Sequence, residues 1–190
     1  MAVQLPLPKK TLVGCVGNIL LLDEGLGPHV ARVLTHRDAA LEYFDEEHTD
    51  LLMSLFREDQ IEPGDDPRIP VLDAGTMGMS MIPYIRDYER IVFIDVIDCG
   101  DDSGVEPGTV YVLTPEDMAE HAIMHSLHDM RLIDVIDNAN LAGYDCDISC
   151  VCVQKQDIDP KDFVIDLTPK VKASIPVVVG TLLEELGLEL

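Results

Sequence analysis

The stretch Thr11–Gly27, TLVGCVGNILLLDEGLG, decides the fold. It begins with the apolar run Thr11–Val16, which is typical of a strand buried on both faces. The loop that follows ends in Asp23 and Glu24, and a helix is predicted from Pro28, because proline suits the first turn of a helix. A buried strand, a polar loop and a helix form the start of a βα unit, from which parallel sheets are built.

The rest of the chain repeats this alternation. Further strands are predicted at Ile69–Leu72, Ile91–Ile97, Thr109–Leu113 and Ile148–Val153, and helices at about Met79–Tyr88, from Thr114, at about His128–Leu141 and from Thr168. In the last helix, Pro176 and Gly180 predict a kink or a break. The expected fold class is α/β, a three-layer α/β/α arrangement with a mostly parallel twisted sheet of about five strands.

Residues 42–67 do not fit a minimal α/β unit. They carry the acidic motifs DEEHTD and EPGDDP, and they are predicted to form an excursion with one helix, Asp50–Arg57, between loops. The length of 190 residues argues for one domain, 1–190, that includes this excursion.

Composition excludes several classes of function. The chain has 36 Asp+Glu against 13 Lys+Arg, a net charge of −23, so binding to nucleic acid or to anionic lipid is not expected. No leader segment is evident, and the longest apolar runs are far shorter than the ~20 residues of a membrane helix. Five cysteines without a CxxC pair suit a reducing compartment, so a cytoplasmic location is expected.

Three of the cysteines, Cys146, Cys150 and Cys152, fall on one face of a predicted strand. Small buried side chains are the favoured interpretation, and a thiolate metal site is the alternative.

Ligand sites in open parallel sheets gather at the carboxyl ends of the strands. The polar candidates there are Asp23, Glu24, Asp73, Asp95 and Asp98, with His121, His125 and His128 before a later helix. A dinucleotide site is disfavoured, because Gly14 and Gly17 do not match GxGxxG and an acidic pair would repel a pyrophosphate. No Ser-His-Asp arrangement stands out, so a covalent mechanism is not predicted.

Four segments, in the same order, resemble the motifs of the nickel-iron hydrogenase maturation endopeptidases. They are GCVGNILLLDEGLG from Gly14, similar to the signature GxGN…DE-x-x-G; DAGT from Asp73, similar to a DGGT turn; IDV from Ile94; and HDMRLIDV from His128. Within the family, the type serving coenzyme F420-reducing hydrogenases looks the most similar.

The resemblance implies an activity and a site. Such enzymes remove a C-terminal peptide from the hydrogenase large-subunit precursor after nickel insertion, so nickel would come with the precursor, the expected partner. The residues thought to contact nickel map onto Glu24, Asp95 and His128, and the substrate-binding turn onto Asp73, Gly75 and Thr76. Two carboxylates and an imidazole are a reasonable ligand set for a borderline divalent metal.

Alternatives stay open for each residue. Glu24 could cap the following helix, Asp98 competes with Asp95, and His125 competes with His128. The group that activates water is undetermined among Glu24, Asp95 and His128. A non-catalytic module that docks onto the nickel site of the same precursor would use the same three residues.

The chain also departs from the family pattern. Ala74 replaces a glycine of the DGGT turn, so a left-handed backbone is not expected there. Residues 42–67 exceed a minimal family loop, and we hypothesise that they contribute to precursor specificity and could be deleted without unfolding the domain.

Overall fold

A computed structural model describes residues 10–59, 66–100, 103–120, 132–160 and 165–188. Within these residues, six strands form one sheet in the order β2-β3-β1-β4-β6-β5. The strands are β1 (Thr11–Val16), β2 (Phe56–Glu58), β3 (Ile69–Gly75), β4 (Arg90–Ile97), β5 (Val110–Leu113) and β6 (Asp147–Gln154). All neighbouring strands run parallel except β5, which is antiparallel to β6.

Helices cover both faces of this sheet. They are α1 (Leu26–Thr35), α2 (Arg37–Ala40), α3 (Glu46–Leu55), α4 (Ile82–Asp87), α5 (Pro115–Glu120), α6 (Leu132–Leu141) and α7 (Pro169–Glu185). Helices α1, α3 and α7 pack into the core on one side, which we call face A, and α4 and α6 pack on the other, face B. The predicted three-layer α/β/α class is confirmed, with one strand more than expected.

The alternation of side chains along β4 defines the two faces. Val92 and Ile94 lie in the core of face A, whereas Ile91, Phe93 and Ile97 lie in that of face B. Successive side chains of a strand point to opposite faces, so Asp95 belongs to face B. Both faces of this central strand are therefore apolar except at its carboxyl end.

Residues 42–67 are more integrated into the fold than predicted. The helix begins at Glu46, after Asp45 accepts a hydrogen bond from the His48 amide, and Phe56–Glu58 forms the edge strand β2 beside β3. Leu52 and Phe56 are buried in face A. The expected helix bounds were wrong. The structure also argues against removal of the segment without unfolding, because a deletion would take a strand and core side chains with it.

Two helix predictions also need correction. The segment after β3 divides into a 3₁₀ helix, Gly78–Met81, and the short α4. A kink or a break was expected in the final helix, and the break is wrong, because α7 is continuous through Pro176. Ile175 and Val179 are fully buried on either side of this proline, so packing against face A offsets the backbone hydrogen bond that proline cannot make.

None of the helices in the described ranges is long and apolar enough to cross a membrane.

Candidate active site

The loop after β1 folds back onto the end of its own strand. Gly17 has a φ of +146°, and a Cβ atom there would lie 1.9 Å from the carbonyl oxygen of Glu24. The amide of Asn18 donates to that same oxygen at 2.9 Å. At Gly27, a Cβ would lie 2.0 Å from the carbonyl oxygen of Val16. Only glycine permits backbone contacts as close as these at positions 17 and 27. They bring Glu24 beside the end of β1.

Leu22 introduces a tight turn directly before the two acidic residues. Its φ of +48° is left-handed, unlike that of any other non-glycine residue in the described ranges. A leucine in this conformation stores strain, which commonly occurs where a functional group must be placed. The turn opens the 3₁₀ helix Leu22–Gly25, in which Asp23 and Glu24 are both buried.

Asp23 is completely buried and surrounded by hydrogen-bond donors. Its Oδ2 atom accepts from the amides of Gln156 and Asp157, at 2.7 and 2.9 Å, and from the Thr168 hydroxyl at 3.0 Å. Its Oδ1 atom accepts from the Thr168 amide at 2.8 Å. Thr168 is the N-cap of α7, so the carboxylate also faces the positive end of that helix. Asp23 therefore fixes the loop to the start of α7.

Glu24 and Asp95 form a second buried acidic group. Glu24 is 1% and Asp95 7% exposed, and Oδ1 of Asp95 accepts one hydrogen bond, from the Val96 amide at 2.8 Å. Burial raises the pKa of Asp95 to about 7, and the negative charge of Glu24 adds to the rise, whereas the Val96 amide opposes it. A cation bound by both carboxylates would offset this desolvation and repulsion.

The structure thus brings together two of the three predicted metal contacts. The third, His128, lies outside the described residues, as does its competitor His125. Helix α6 begins four residues after His128, at Leu132, which packs on face B, the face of Asp95. Among the described residues, no group of three or more His, Cys, Asp or Glu side chains could hold a metal ion.

Position bears on two of the competing interpretations. Asp98 follows the end of β4, pairs with Lys155 at 2.9 Å and accepts from the Gly100 amide, so it belongs to the loop. Gly25 is the N-cap of α1, so Glu24 does not occupy the capping position.

The predicted substrate turn lies at the end of β3. The side chains of Asp73 and Thr76 are exposed, and the Gly75 amide donates to Oδ1 of Asp73 at 3.2 Å. Gly75, with a φ of +45°, is the left-handed residue, whereas Ala74 is buried within the strand. The Gly17 amide donates to the Gly75 carbonyl at 3.0 Å, so this turn touches the loop that carries Glu24.

The thiols next to the site are core side chains. Cys150 and Cys152 are buried on face B with their Sγ atoms 3.2 Å apart, and Cys152 pairs with Asp95 across β4 and β6. The hydrogen bond between the two thiols and burial raise the pKa of the Cys150 thiol well above its ordinary value. Cys146 packs against the same cluster. The interpretation as small buried side chains is confirmed for the two β6 thiols.

Sequence reasoning did not find the donors that surround Asp23. They lie 133 to 145 residues away along the chain, on the segment between β6 and α7. The signal that was available is the polar, non-periodic stretch before Thr168, which is typical of a loop with free amides.

Solved structures with the same arrangement define the fold class. HybD from Escherichia coli, a hydrogenase maturating endopeptidase, superposes with a TM-score of 0.62 over 95% of both chains, at 24% identity. HybD from Thermococcus kodakarensis, a [NiFe] hydrogenase maturation protease, gives 0.60 over 93% of this chain and 98% of its own, at 22% identity. At sequence identities of 24% and 22%, the structural similarity establishes the fold alone.

Sequence comparison assigns the family. The model of the hydrogenase maturation protease family matches residues 54–185, which include Asp95. The chain therefore belongs to the hydrogenase maturation protease family and is a peptidase, as its motifs predicted. It is 26% identical to HupD, a hydrogenase expression/formation protein of Rhodobacter capsulatus, over 94% of this chain and 72% of that one. It is also 26% identical to the coenzyme F420 hydrogenase subunit delta of Methanothermobacter thermautotrophicus, over 93% of both.

Proposed function

We propose that this peptidase removes a C-terminal peptide from the precursor of a nickel-iron hydrogenase large subunit after nickel has been inserted. One observation carries the proposal: the buried carboxyl pair of Glu24 and Asp95 at the carboxyl end of the sheet. Such a pair favours a cation brought by the partner. The name of one relative, hydrogenase 2 maturation protease of Escherichia coli, supports the class of substrate.

In this proposal, nickel held by the precursor is the recognition element. Glu24, Asp95 and His128 contact it, and the remaining coordination positions stay with the precursor. Carboxylate oxygens and an imidazole nitrogen suit a borderline divalent ion. The same three residues are the candidates to accept a proton from the attacking water, a role for which a pKa near neutrality is favourable.

The turn after β3 is proposed to bind the precursor chain. Asp73 and Thr76 offer exposed polar side chains, and Gly75 leaves the backbone accessible. Because this turn is hydrogen-bonded to the first loop, a chain lying across both would pass beside the carboxyl pair.

We also propose a cytoplasmic single domain, 1–190, serving a coenzyme F420-reducing hydrogenase. The match to the F420 hydrogenase subunit delta extends over 93% of each chain, whereas HupD is longer than the matched region. Comparing cleavage of precursors from different hydrogenase types would test this assignment.

The decisive experiment is intact mass spectrometry of a nickel-loaded large-subunit precursor before and after addition of the protein. We expect loss of a short C-terminal peptide from the loaded precursor, with a nickel-free precursor left intact. A stable complex without any mass change would instead support the docking module.

Variants then rank the proposed contacts. Glu24→Gln, Asp95→Asn and His128→Gln should each lower cleavage by about 100-fold or more, since each removes a group that acts at the reacting centre. Asp145→Asn, at an exposed position, is the matched control and should cleave normally. Full cleavage by all three variants would contradict the assigned site.

A further inference from the structure

Exposed apolar side chains cluster on the two loops that border the carboxyl pair. Eight large hydrophobic residues are exposed among those described, and three of them, Ile19, Leu20 and Met79, lie on these loops. Ile19 and Leu20 are 40% and 48% exposed in the loop after β1, and Met79 is 37% exposed in the 3₁₀ helix after β3.

The two loops form one continuous surface with the candidate site. They leave neighbouring parallel strands and are joined by the Gly17 to Gly75 hydrogen bond. Ile19 lies directly over the residue that follows Glu24, since a Cβ atom on Gly25 would be 3.2 Å from the Ile19 Cα. Ile19 and Leu20 therefore lie on the loop that carries Glu24, and Met79 lies just after the turn that is hydrogen-bonded to this loop.

Local hydrogen bonds hold these side chains at the surface. Oδ1 of Asn18 accepts from the Leu20 amide at 3.0 Å, and its carbonyl accepts from the Leu21 amide at 3.0 Å. The Met77 carbonyl accepts from the Ser80 amide at 3.1 Å, which fixes the turn around Met79. Exposed apolar groups at the border of a polar site commonly mark a binding surface.

We infer that Ile19, Leu20 and Met79 form an apolar rim that binds apolar side chains of the precursor segment flanking its nickel site. This inference rests on the proposed function, and the rim's continuity with the carboxyl pair selects the occupant. A second copy of this chain and an anionic membrane would both be repelled by the charge of −23.

Cleavage kinetics of Leu20→Ser and Met79→Ser on the nickel-loaded precursor test the rim. Each variant should raise KM about fivefold, from the loss of partial burial of one side chain, with kcat within twofold of wild type. The double variant should approach the product of the two effects, because the residues sit on separate loops.

Two controls make the result specific. Leu20→Met keeps an apolar side chain and should restore the wild-type KM. Val177→Ser removes a side chain that is 56% exposed on α7, over face A, and should leave KM unchanged.

The possible failures are distinguishable. If the wild-type protein cleaves the precursor and both serine variants have the same KM as wild type, the inferred role of the rim is wrong and the proposed function stands. Lower kcat at constant KM would also overturn that role, since the residues would then shape the site. A wild-type dimer that Leu20→Ser dissociates would identify a second copy as the occupant and overturn the inference. Absence of cleavage by the wild-type protein would overturn the proposed function and the rim with it.

Discussion

Asp23 and Glu24 are adjacent in sequence and equally buried, yet their surroundings differ in kind. Asp23 accepts four hydrogen bonds from the segment between β6 and α7 and from the start of α7. Glu24 instead places its negative charge near Asp95, where burial and that charge raise the pKa of Asp95 to about 7. The first carboxylate stabilises the fold, whereas the second belongs to a pair that repels itself.

The difference shows that one short loop both anchors the fold, through Asp23, and supplies a member of the carboxyl pair, Glu24. A carboxylate with a full set of donors is stable without a ligand, and it fixes the backbone of its neighbour. A carboxyl pair in a low-dielectric environment favours a proton or a cation between its members. The strain at Leu22 lies immediately before both residues, where the chain must turn to bury them.

The largest expected effect comes from removing the donor-rich carboxylate. Asp23→Ala should lower the free energy of unfolding by about 5 kcal/mol, because it removes a buried carboxylate that accepts from three amides and a hydroxyl and leaves the buried Thr168 amide without its acceptor. Asp23→Asn keeps one acceptor oxygen and should cost about 3 kcal/mol. Urea denaturation measures both, with exposed Asp145→Asn expected within about 0.5 kcal/mol of wild type. A small loss in Asp23→Ala would contradict the anchoring role.

Asp95 should make the metal-free protein less stable as the pH rises. Its pKa increases from 3.8 in the unfolded chain to about 7 in the folded protein. The free energy of unfolding therefore falls as the pH rises from about 4 to 7, by a total of about 4 kcal/mol. Above pH 7 Asp95 causes no further fall.

Asp95→Asn should remove this loss while keeping an acceptor for the Val96 amide. The difference in unfolding free energy between variant and wild type should therefore grow from pH 4 to pH 7. Parallel pH profiles of the two proteins, measured by urea denaturation, would contradict the raised pKa of Asp95.

A change at Gly17 should disturb both acidic residues together. Gly17→Ala places a Cβ atom 1.9 Å from the Glu24 carbonyl oxygen at a φ of +146°, so the loop must move. We expect the free energy of unfolding to fall by about 3 kcal/mol. Cleavage should fall by more than the fraction of unfolded protein explains. Normal cleavage by Gly17→Ala would mean that the close contact between Gly17 and the Glu24 carbonyl does not set the position of Glu24.

Gly180→Ala is the matched control for Gly17→Ala, and it is expected to raise stability. Gly180 lies inside α7 without a left-handed φ and with no atom within 4 Å of an added Cβ. Gly180→Ala should stabilise the protein by about 0.5–1 kcal/mol, because alanine restricts the unfolded chain and favours helix. Thermal unfolding would measure the gain, and cleavage should not change.

Sequence patterns predicted the main elements but not how they end. The buried runs of β1, β4 and β6 were found because their apolar side chains face helices on both sides. Edge strand β2 was missed, since three residues after a helix carry no periodic signal of their own. The continuity of α7 through Pro176 was also missed, because it depends on packing against face A.

The candidate site was only partly accessible from the sequence. The convergence of Glu24 and Asp95 followed from the rule that loops at the carboxyl ends of parallel strands meet, together with the resemblance. The donors of Asp23 were not predicted, because three of the four are backbone amides of a distant segment, and a polar stretch indicates a loop without indicating which acceptor its amides meet. The metal contact assigned to His128 stays a prediction, as that residue lies outside the described ranges.

The bond between Asp23 and Thr168 spans 145 residues, and this has a consequence for synthesis on the ribosome. At roughly 5–20 residues per second, Thr168 is made about 7–30 s after the loop that it anchors. During that interval the nascent chain carries both acidic residues without the amides that fix the first of them. The carboxyl pair therefore acquires its final geometry only after α7 has emerged.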